Sequence, residues 1–438
     1  MGFQQGISGL NAASRNLEVI GNNIANANTV GAKTSRAEFS DVYANVAYNA
    51  GNTSAGVGVR VQSVTQQFTQ GGIRTTENPL DVAINGRGFF RVAQPGVSTD
   101  VAYTRNGQFQ LDSAGYVVTN QGLRLQGYQV DAATGKAGGI VGDILLPAQG
   151  IGPRVTSSAA LRMNLDARAA APTAATPAFN LTDPKSYTSA TSVATYDQQG
   201  NQQVLSVYFR KTAVANEWEV YAAHDGVPVP ALSGAGAQQD PVGRITFKAD
   251  GTLDAANTGS LSGGTLTAGD MSLAIPFAAS TLPVAPSAST TSAPVTLSFT
   301  GATQFGSAFG VTEATQDGYA PGQLAGFGIG ANGMVEARYS NGKTLNAAQI
   351  ALADFRNEQG LAPAGGNLWH ETPVSGQAAV SAPGTANLGA LQGGALEESN
   401  VDLTQQLVDM ISAQRNYQAN AQTIKTMDQM LSTLVNLR

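Results

Sequence analysis

Residues 399–438 read "SNVDLTQQLVDMISAQRNYQANAQTIKTMDQMLSTLVNLR". Leu403, Met410, Tyr417, Ile424 and Leu431 stand seven residues apart. Ala413, Met427 and Leu434 follow at plus three, and Leu407, Ala421 and Val435 at plus four. A heptad of this kind winds one apolar seam along a helix. Neither Gly nor Pro interrupts it, so a helix from Val401 to Arg438 would run about 57 Å at 1.5 Å per residue. Ser399 followed by Asp402 has the spacing of a capping box, with Asp in place of the usual Glu. Glu397 and Glu398 place negative charge where a helix N-terminus favours it.

The other end repeats the design. In "MGFQQGISGLNAASRNLEVIGNNIANANTVGAK", residues 1–33, Phe3, Leu10, Leu17 and Ile24 are again seven apart. Ala13 and Ile20 follow at plus three, and Ile7 flanks them. This predicts a helix of about 36 Å, weakened by Gly6, Gly9 and Gly21 at ~1 kcal/mol each. Asn22, Asn23, Asn26 and Asn28 crowd its end without taking a seam position. Asn23 and Asn28 edge the seam, and Asn22 and Asn26 face away. They read as an amide-rich flank for neighbouring subunits, followed by a helix stop at Asn28 or Gly31. The C-terminal helix carries Asn416 beside its seam and Asn420 on it, where a polar residue fixes register.

Between the helices the chain reads as β-structure and loop. "LDVAINGRGFFRV", "YTRNGQFQL", "GIGANGMVEARYSNGKTL" and "KADGTL" place Asn-Gly or Asp-Gly between alternating runs, a hairpin signal. "SATSVATYDQQGNQQVLSVYFRK" and "EWEVYAAHDG" predict three strands, turning near Gly200. The Ala/Thr/Pro-rich residues 156–184 read as a boundary, and residues 278–294 as loop or weak strand. Composition changes there and later returns. The expected fold is therefore mainly β with long terminal α-helices, nested. The helical core is 1–27 with 400–438, its two helices paired as a coiled coil. Linkers are 28–71 and 385–399. An inner β-domain is 72–155 with 311–384, and an outer inserted β-domain is 156–310.

Composition narrows the function. Of the 438 residues only 12% are charged, against about 25% in ordinary domains. A net charge of −6 with no basic cluster argues against nucleic-acid binding. There is no cysteine, which removes disulfides, thiolate catalysis and cysteine metal sites. No run approaches the ~18 apolar residues of a membrane span. The N-terminus shows no secretory signal pattern, since the first basic residue is Arg15 and no unbroken apolar run follows it. His224 and His370 stand apart, without a metal-binding pattern. "GIGANG" (residues 328–333) matches a dinucleotide fingerprint, but an alternating run rather than a helix follows it. No catalytic, cofactor or metal residue is assigned, and an enzyme is not expected. Two lone helices cannot bury both seams and their flanks within one chain. Pairing with each other and with copies in other subunits is expected.

The residues also carry a likeness. "SGLNAASRNLEVIGNNIANANTVGAKTSRAEFSDVYA" and "GALEESNVDLTQQLVDMISAQRNYQANAQTIKTMDQMLSTLVNLR" closely resemble the terminal motifs of bacterial flagellar rod and hook proteins. "NPLDVAINGRGFFRV", "YTRNGQFQLD" and "QGLRLQGY" resemble the β-domain of the hook and distal-rod members. Length and the central insertion favour the hook branch; a distal-rod subunit is the alternative. The family usually has an aromatic residue after the glycine of "TVGAK", where this chain has Ala32. The resemblance implies a homopolymer, a short curved tube that transmits torque as a universal joint. It implies contacts with rod and hook–filament junction proteins, a hook cap and the flagellar export apparatus. It also implies an extracellular place in the hook, reached by type III export without a cleaved signal peptide. The terminal helices would form the inner layers and the β-domains the outside, where weak interchangeable contacts would permit bending. A secreted β-rich adhesin with helical oligomerisation ends is the reading from another class.

Overall fold

A computed structural model describes residues 2–42, 58–131, 135–147, 149–172, 179–229, 240–262, 265–275 and 293–436. The chain is mostly β, with long α-helices at its two ends: α1 (Gly2–Ala25) and α2 (Leu403–Asn436). It divides into two compact units. Unit 1 comprises 1–148, 325–338 and 344–438; unit 2 comprises 149–324 and 339–343.

In unit 1 the main sheet follows one path through Met334–Tyr339, Thr344–Ile350, Arg124–Val130, Phe89–Gln94, Val97–Thr104, Leu368–His370 and Ala362–Gly365. Strand alternation sends Phe90 and Val92 to one face, where they join Val82, Ile84, Leu125 and Ile350 in a closed core. Phe89 points the other way into an aromatic cluster with Tyr103, Phe355 and Trp369. Two of the expected hairpins do not form. The strand ending at Asn85 pairs with Ala390–Gly393, not with the strand after Gly86. Asn106-Gly107 likewise makes no two-residue turn; Gly107 instead accepts Val82 N at 3.0 Å. Turn chemistry specifies a bend, and the partner of each strand comes from burial of its apolar face. Asn332-Gly333 and Asn341-Gly342 do sit at turns, with φ +78 and +77 at the glycines.

The segment read as the first linker, residues 28–71, holds structure. Ser35–Val42 and Gly58–Gln66 form an antiparallel pair with a bulge at Glu38/Phe39. Apolar residues alternate there only briefly, at Ala37 and Phe39 and at Val59 and Val61, among polar neighbours. The pair lies against α1, where Val59 N donates to Ser8 Oγ at 3.3 Å. Residues 43–57 lie outside the described residues.

Unit 2 holds two sheets. One contains Ser189–Tyr196, Gln202–Lys211 and Glu217–His224 as consecutive antiparallel strands, turning at Gly200 with φ +82. The other is built on Ser158–Asp166, which pairs in parallel with Ala293–Ser298 and Thr303–Phe305 and antiparallel with Gly310–Gln316. That strand falls within the stretch read as a boundary. Ala159, Leu161, Met163 and Leu165 alternate inward along it, so an alanine-rich composition hid a period-two strand. Their core partners are Leu205, Val207, Phe209, Trp218 and Val220 of the first sheet. Trp218 Nε1 is satisfied by Gln304 Oε1 at 3.2 Å. Residues 278–292, read as loop or weak strand, lie outside the described residues.

Candidate assembly site at the paired termini

α1 and α2 lie side by side and antiparallel, with Gly6 against Ile424, Gly9 against Asn420 and Asn23 against Gln406. Small residues set the approach. A side chain at Gly6 would meet Ile424 Cγ1 at 2.9 Å, and one at Gly9 would meet Asn420 Oδ1 at 2.8 Å. Ala12, Ala13, Ile20 and Ala413 are buried alongside. The glycines that weaken the helix on propensity are thus where the second helix seats; Gly21 has nothing within 4 Å. Gly9→Leu should raise intrinsic helicity by ~1 kcal/mol yet cost ~1–3 kcal/mol by overpacking against α2. Thermal melts followed at 222 nm check this, and a stabilised variant would contradict the close approach.

α2 starts later than the capping-box spacing predicts. Asp402, not Ser399, caps it: Asp402 Oδ1 accepts Thr404 N at 2.9 Å and Gln405 N at 3.1 Å. An Asp at the N-cap satisfies the free amides of the first turn. α1 ends in a turn that closes at Gly31, with φ +70.

Not all of the predicted seam faces α1. Ile20 is buried; Leu10, Leu17, Ile24, Met410, Ile424 and Met427 are half-buried. Leu403 (48% exposed), Leu407 (45%), Tyr417 (37%) and Leu431 (55%) remain open, as does Ile7. Val408 and Ile411, which the heptad reading passed over, are about as exposed as Leu407. Leu403, Leu407 and Ile411, at i, i+4 and i+8, make an apolar stripe turned away from α1. Phe3 and Leu434 belong to the helices, but their side chains lie outside the described residues.

The amides divide in the same way. Asn23 is buried and fully engaged: its Nδ2 donates to Ser35 O at 2.8 Å and Gln406 Oε1 at 2.9 Å, and its Oδ1 accepts Ser35 N at 2.8 Å. It therefore belongs to this subunit's own packing. Asn26 Nδ2 closes the helix end on Asn22 O at 2.9 Å. Asn22, Asn28 and Asn416 are exposed, and Asn420 lies between the helices. Clefts of 430 and 500 Å³ adjoin the pair, and Asn16 and Asn416 line both. Ala32 is buried beside a 370 Å³ cavity lined also by Asn22, Asn26 and Trp369.

Below the helices lies a group that the sequence reading passed over. Glu397 and Lys33 are fully buried and joined at 2.7 Å. Gly71 N donates to that same carboxylate oxygen at 3.0 Å, and the other carboxylate oxygen of Glu397 accepts Arg105 at 3.2 Å. Lys33 Nζ also donates to Thr69 O at 2.7 Å. Burial pulls the Lys33 ammonium below its ordinary value, against the opposing pull of Glu397. Glu397 is therefore an internal counter-ion rather than a helix-terminus charge. Asn400 works beside it: Oδ1 accepts Thr34 N and Oγ1, and Nδ2 reaches Gln67 O and Thr69. One signal pointed here: in a chain with 12% charged residues, Lys33 and Glu397 each sit just outside a terminal helix.

A mostly β chain with an antiparallel pair of terminal helices and an exposed apolar stripe on them has the design of a structural assembly subunit. Comparison with known families places it among the axial proteins of the bacterial flagellum. Residues 3–33 match the flagella basal body rod protein family and 392–437 the flagellar basal body rod FlgEFG protein C-terminal family. Residues 83–160 match the flagellar hook protein FlgE/F/G D1 domain, and 164–319 the flagellar basal body protein FlaE D2 domain. The chain is 40% identical over 442 residues to the flagellar hook protein FlgE of Escherichia coli (strain K12), covering 100% of both. It is 33% identical over 465 residues to the hook protein FlgE of Treponema pallidum (strain Nichols), covering 99% of this chain and 98% of that one. The crystal structure of Helicobacter pylori flagellar hook protein FlgE2 shares the fold, with TM-score 0.52, 14% identity and coverage of 73% of this chain and 99% of that one. The chain belongs to the flagellar hook protein family. Its role is that of a structural hook subunit in motility, not an enzyme. No helix of the described residues is long and apolar enough to cross a membrane.

Proposed function

We propose that this subunit builds the hook as a helical tube, the universal joint between rod and filament, through its terminal helices. α1 and α2 pair within a subunit as a short coiled-coil-like core. The observation that carries the reading is the stripe Leu403, Leu407 and Ile411, exposed although α1 already covers the opposite side of α2. Such a stripe calls for a neighbouring copy. An open tube needs a surface that meets a different surface on the next copy and does not close into a ring. Asn22, Asn26, Asn28 and Asn416 supply the amide flank, and Asn420 fixes register inside the pair.

The working division takes 1–27 with 400–438 as the helical core, 28–71 with 385–399 joining it to the β-structure, and 72–155 with 311–384 and 156–310 as the inner and inserted β-domains, the strand Gly310–Gln316 going with the inserted one because it pairs with Ser158–Asp166. At its ends the tube meets rod and hook–filament junction proteins, with a hook cap at the growing tip. Subunits arrive through the flagellar type III export apparatus. A cysteine-free chain carries no disulfide that would obstruct threading.

The double variant Leu407→Glu with Ile411→Glu tests the stripe. Two apolar side chains of about 1.5–3 kcal/mol each leave the contact, so the critical concentration for polymerisation should rise ~10²–10⁴-fold. Sedimentation measures it. Unchanged assembly with a normal circular dichroism spectrum would remove the stripe from the interface.

A further inference from the structure

We propose that Lys33, Glu397, Arg105 and Asn400 form a latch that seats α1 beside α2, so that pairing of the terminal helices depends on the Glu397 carboxylate. The strands Ile73–Thr75 and Ala395–Glu397 pair antiparallel, which fixes Glu397 to the body of unit 1. From there the carboxylate reaches Lys33, 364 positions earlier in the chain. Gly31 N donates to Glu397 O at 2.9 Å, and Asn400 Oδ1 takes Thr34 N at 2.7 Å. The whole exit of α1 is thereby held to the entry of α2. Ala25 and Leu403 mark the two helix ends, eight residues before Lys33 and six after Glu397.

The helices need such help. Gly6, Gly9, Ala12, Ala13 and Ala413, residues with little or no apolar side chain to bury, occupy much of their contact beside Ile20 and Ile424. Tethering both at one point makes their encounter intramolecular at high effective concentration. The carboxylate is the part of the latch on which the rest depends. Lys33 and Arg105 are both buried cations facing one carboxylate. Without it the two cations lose their counter-charge in a low-dielectric site, and the segment 31–34 is held only by its bonds to Glu397 O, Asn400 and Thr69.

The absence of cysteine gives a clean test. Asn16→Cys with Asn416→Cys, residues of α1 and α2 that line the same two clefts, puts one thiol on each helix of the full-length, unassembled chain and leaves Gly9 and Asn420 in place. At a fixed concentration of added oxidised glutathione, which takes up the two electrons and leaves as two reduced molecules, the rate of disulfide formation then reports how often α1 and α2 meet. Added Glu397→Gln should slow it at least tenfold. Added Asn400→Ala, which spares the ion cluster but removes the amide clamp, should slow it several-fold. Hydrogen exchange of residues 149–324 should be unchanged in both, showing that the fold elsewhere is intact. A cross-link that forms at one rate in all three backgrounds, or in none, overturns the latch. So does a loosening of 149–324 equal to that of the termini.

Discussion

Replacing Phe89 by alanine will lower the stability of unit 1 by about 3–5 kcal/mol. Phe89 is fully buried and meets three aromatic rings edge-on: Phe68 at 5.5 Å, Trp369 at 5.7 Å and Phe355 at 5.9 Å between centroids. Phe68 also touches Trp369 at 5.6 Å, so the rings brace one another. Edge-to-face contacts add ~0.5–1.5 kcal/mol beyond area burial, and the cavity left by truncation adds its own cost. The effect reaches the termini. Arg105, a partner of Glu397, lies over the Phe89 ring at 5.2 Å to its centroid, and Trp369 Nε1 donates to Gln66 Oε1 at 2.7 Å in the strand that lies against α1. The chain has two tryptophans, so Trp218→Phe leaves Trp369 as the reporter. Urea denaturation followed by its fluorescence should show the loss; a change below about 1.5 kcal/mol would mean that the cluster repacks.

What was legible in the sequence follows from periodicity. The heptads over Phe3–Ile24 and Leu403–Leu434 identify both helices because an apolar repeat of seven has few other uses. They do not say which flank faces the partner helix. That depends on the small residues, since Gly6 and Gly9 admit Ile424 and Asn420 while Leu403 and Leu407 stay open. A scan for large apolar residues picks up Ile20 and Ile424 but passes over the small residues between the helices. Asn23 was legible as an oddity and not as a solution. Its three bonds to Ser35 and Gln406 require a chain reversal after α1 and a second helix from the far end. The ion cluster was hidden for a related reason. Lys33 and Glu397 are remote in sequence, and each alone resembles an ordinary helix-flanking charge. Strand 158–166 was lost to composition, because its alanines and polar residues obscured the inward Leu161, Met163 and Leu165. For Asn23 and the ion cluster the partner is set by long-range packing; for strand 158–166 the local pattern itself was hidden.

Removing the terminal helices should have the largest effect of all, complete loss of polymerisation. A chain of residues 26–402 keeps Lys33, Glu397 and Asn400, and so keeps the junction intact. It also keeps the three hydrophobic clusters, none of which includes a residue of α1 or α2. Each helix alone is of marginal stability in water, and what they add is the apolar surface offered to neighbours. The truncated chain should be a folded monomer with the strand content of the full-length protein. The most direct measurement is electron microscopy and sedimentation of that chain beside the full-length protein, under conditions in which the latter forms tubes. The account predicts a monomer at every concentration tested. Tubes formed by residues 26–402 would contradict it, because assembly would then reside in the β-structure and not in the paired termini.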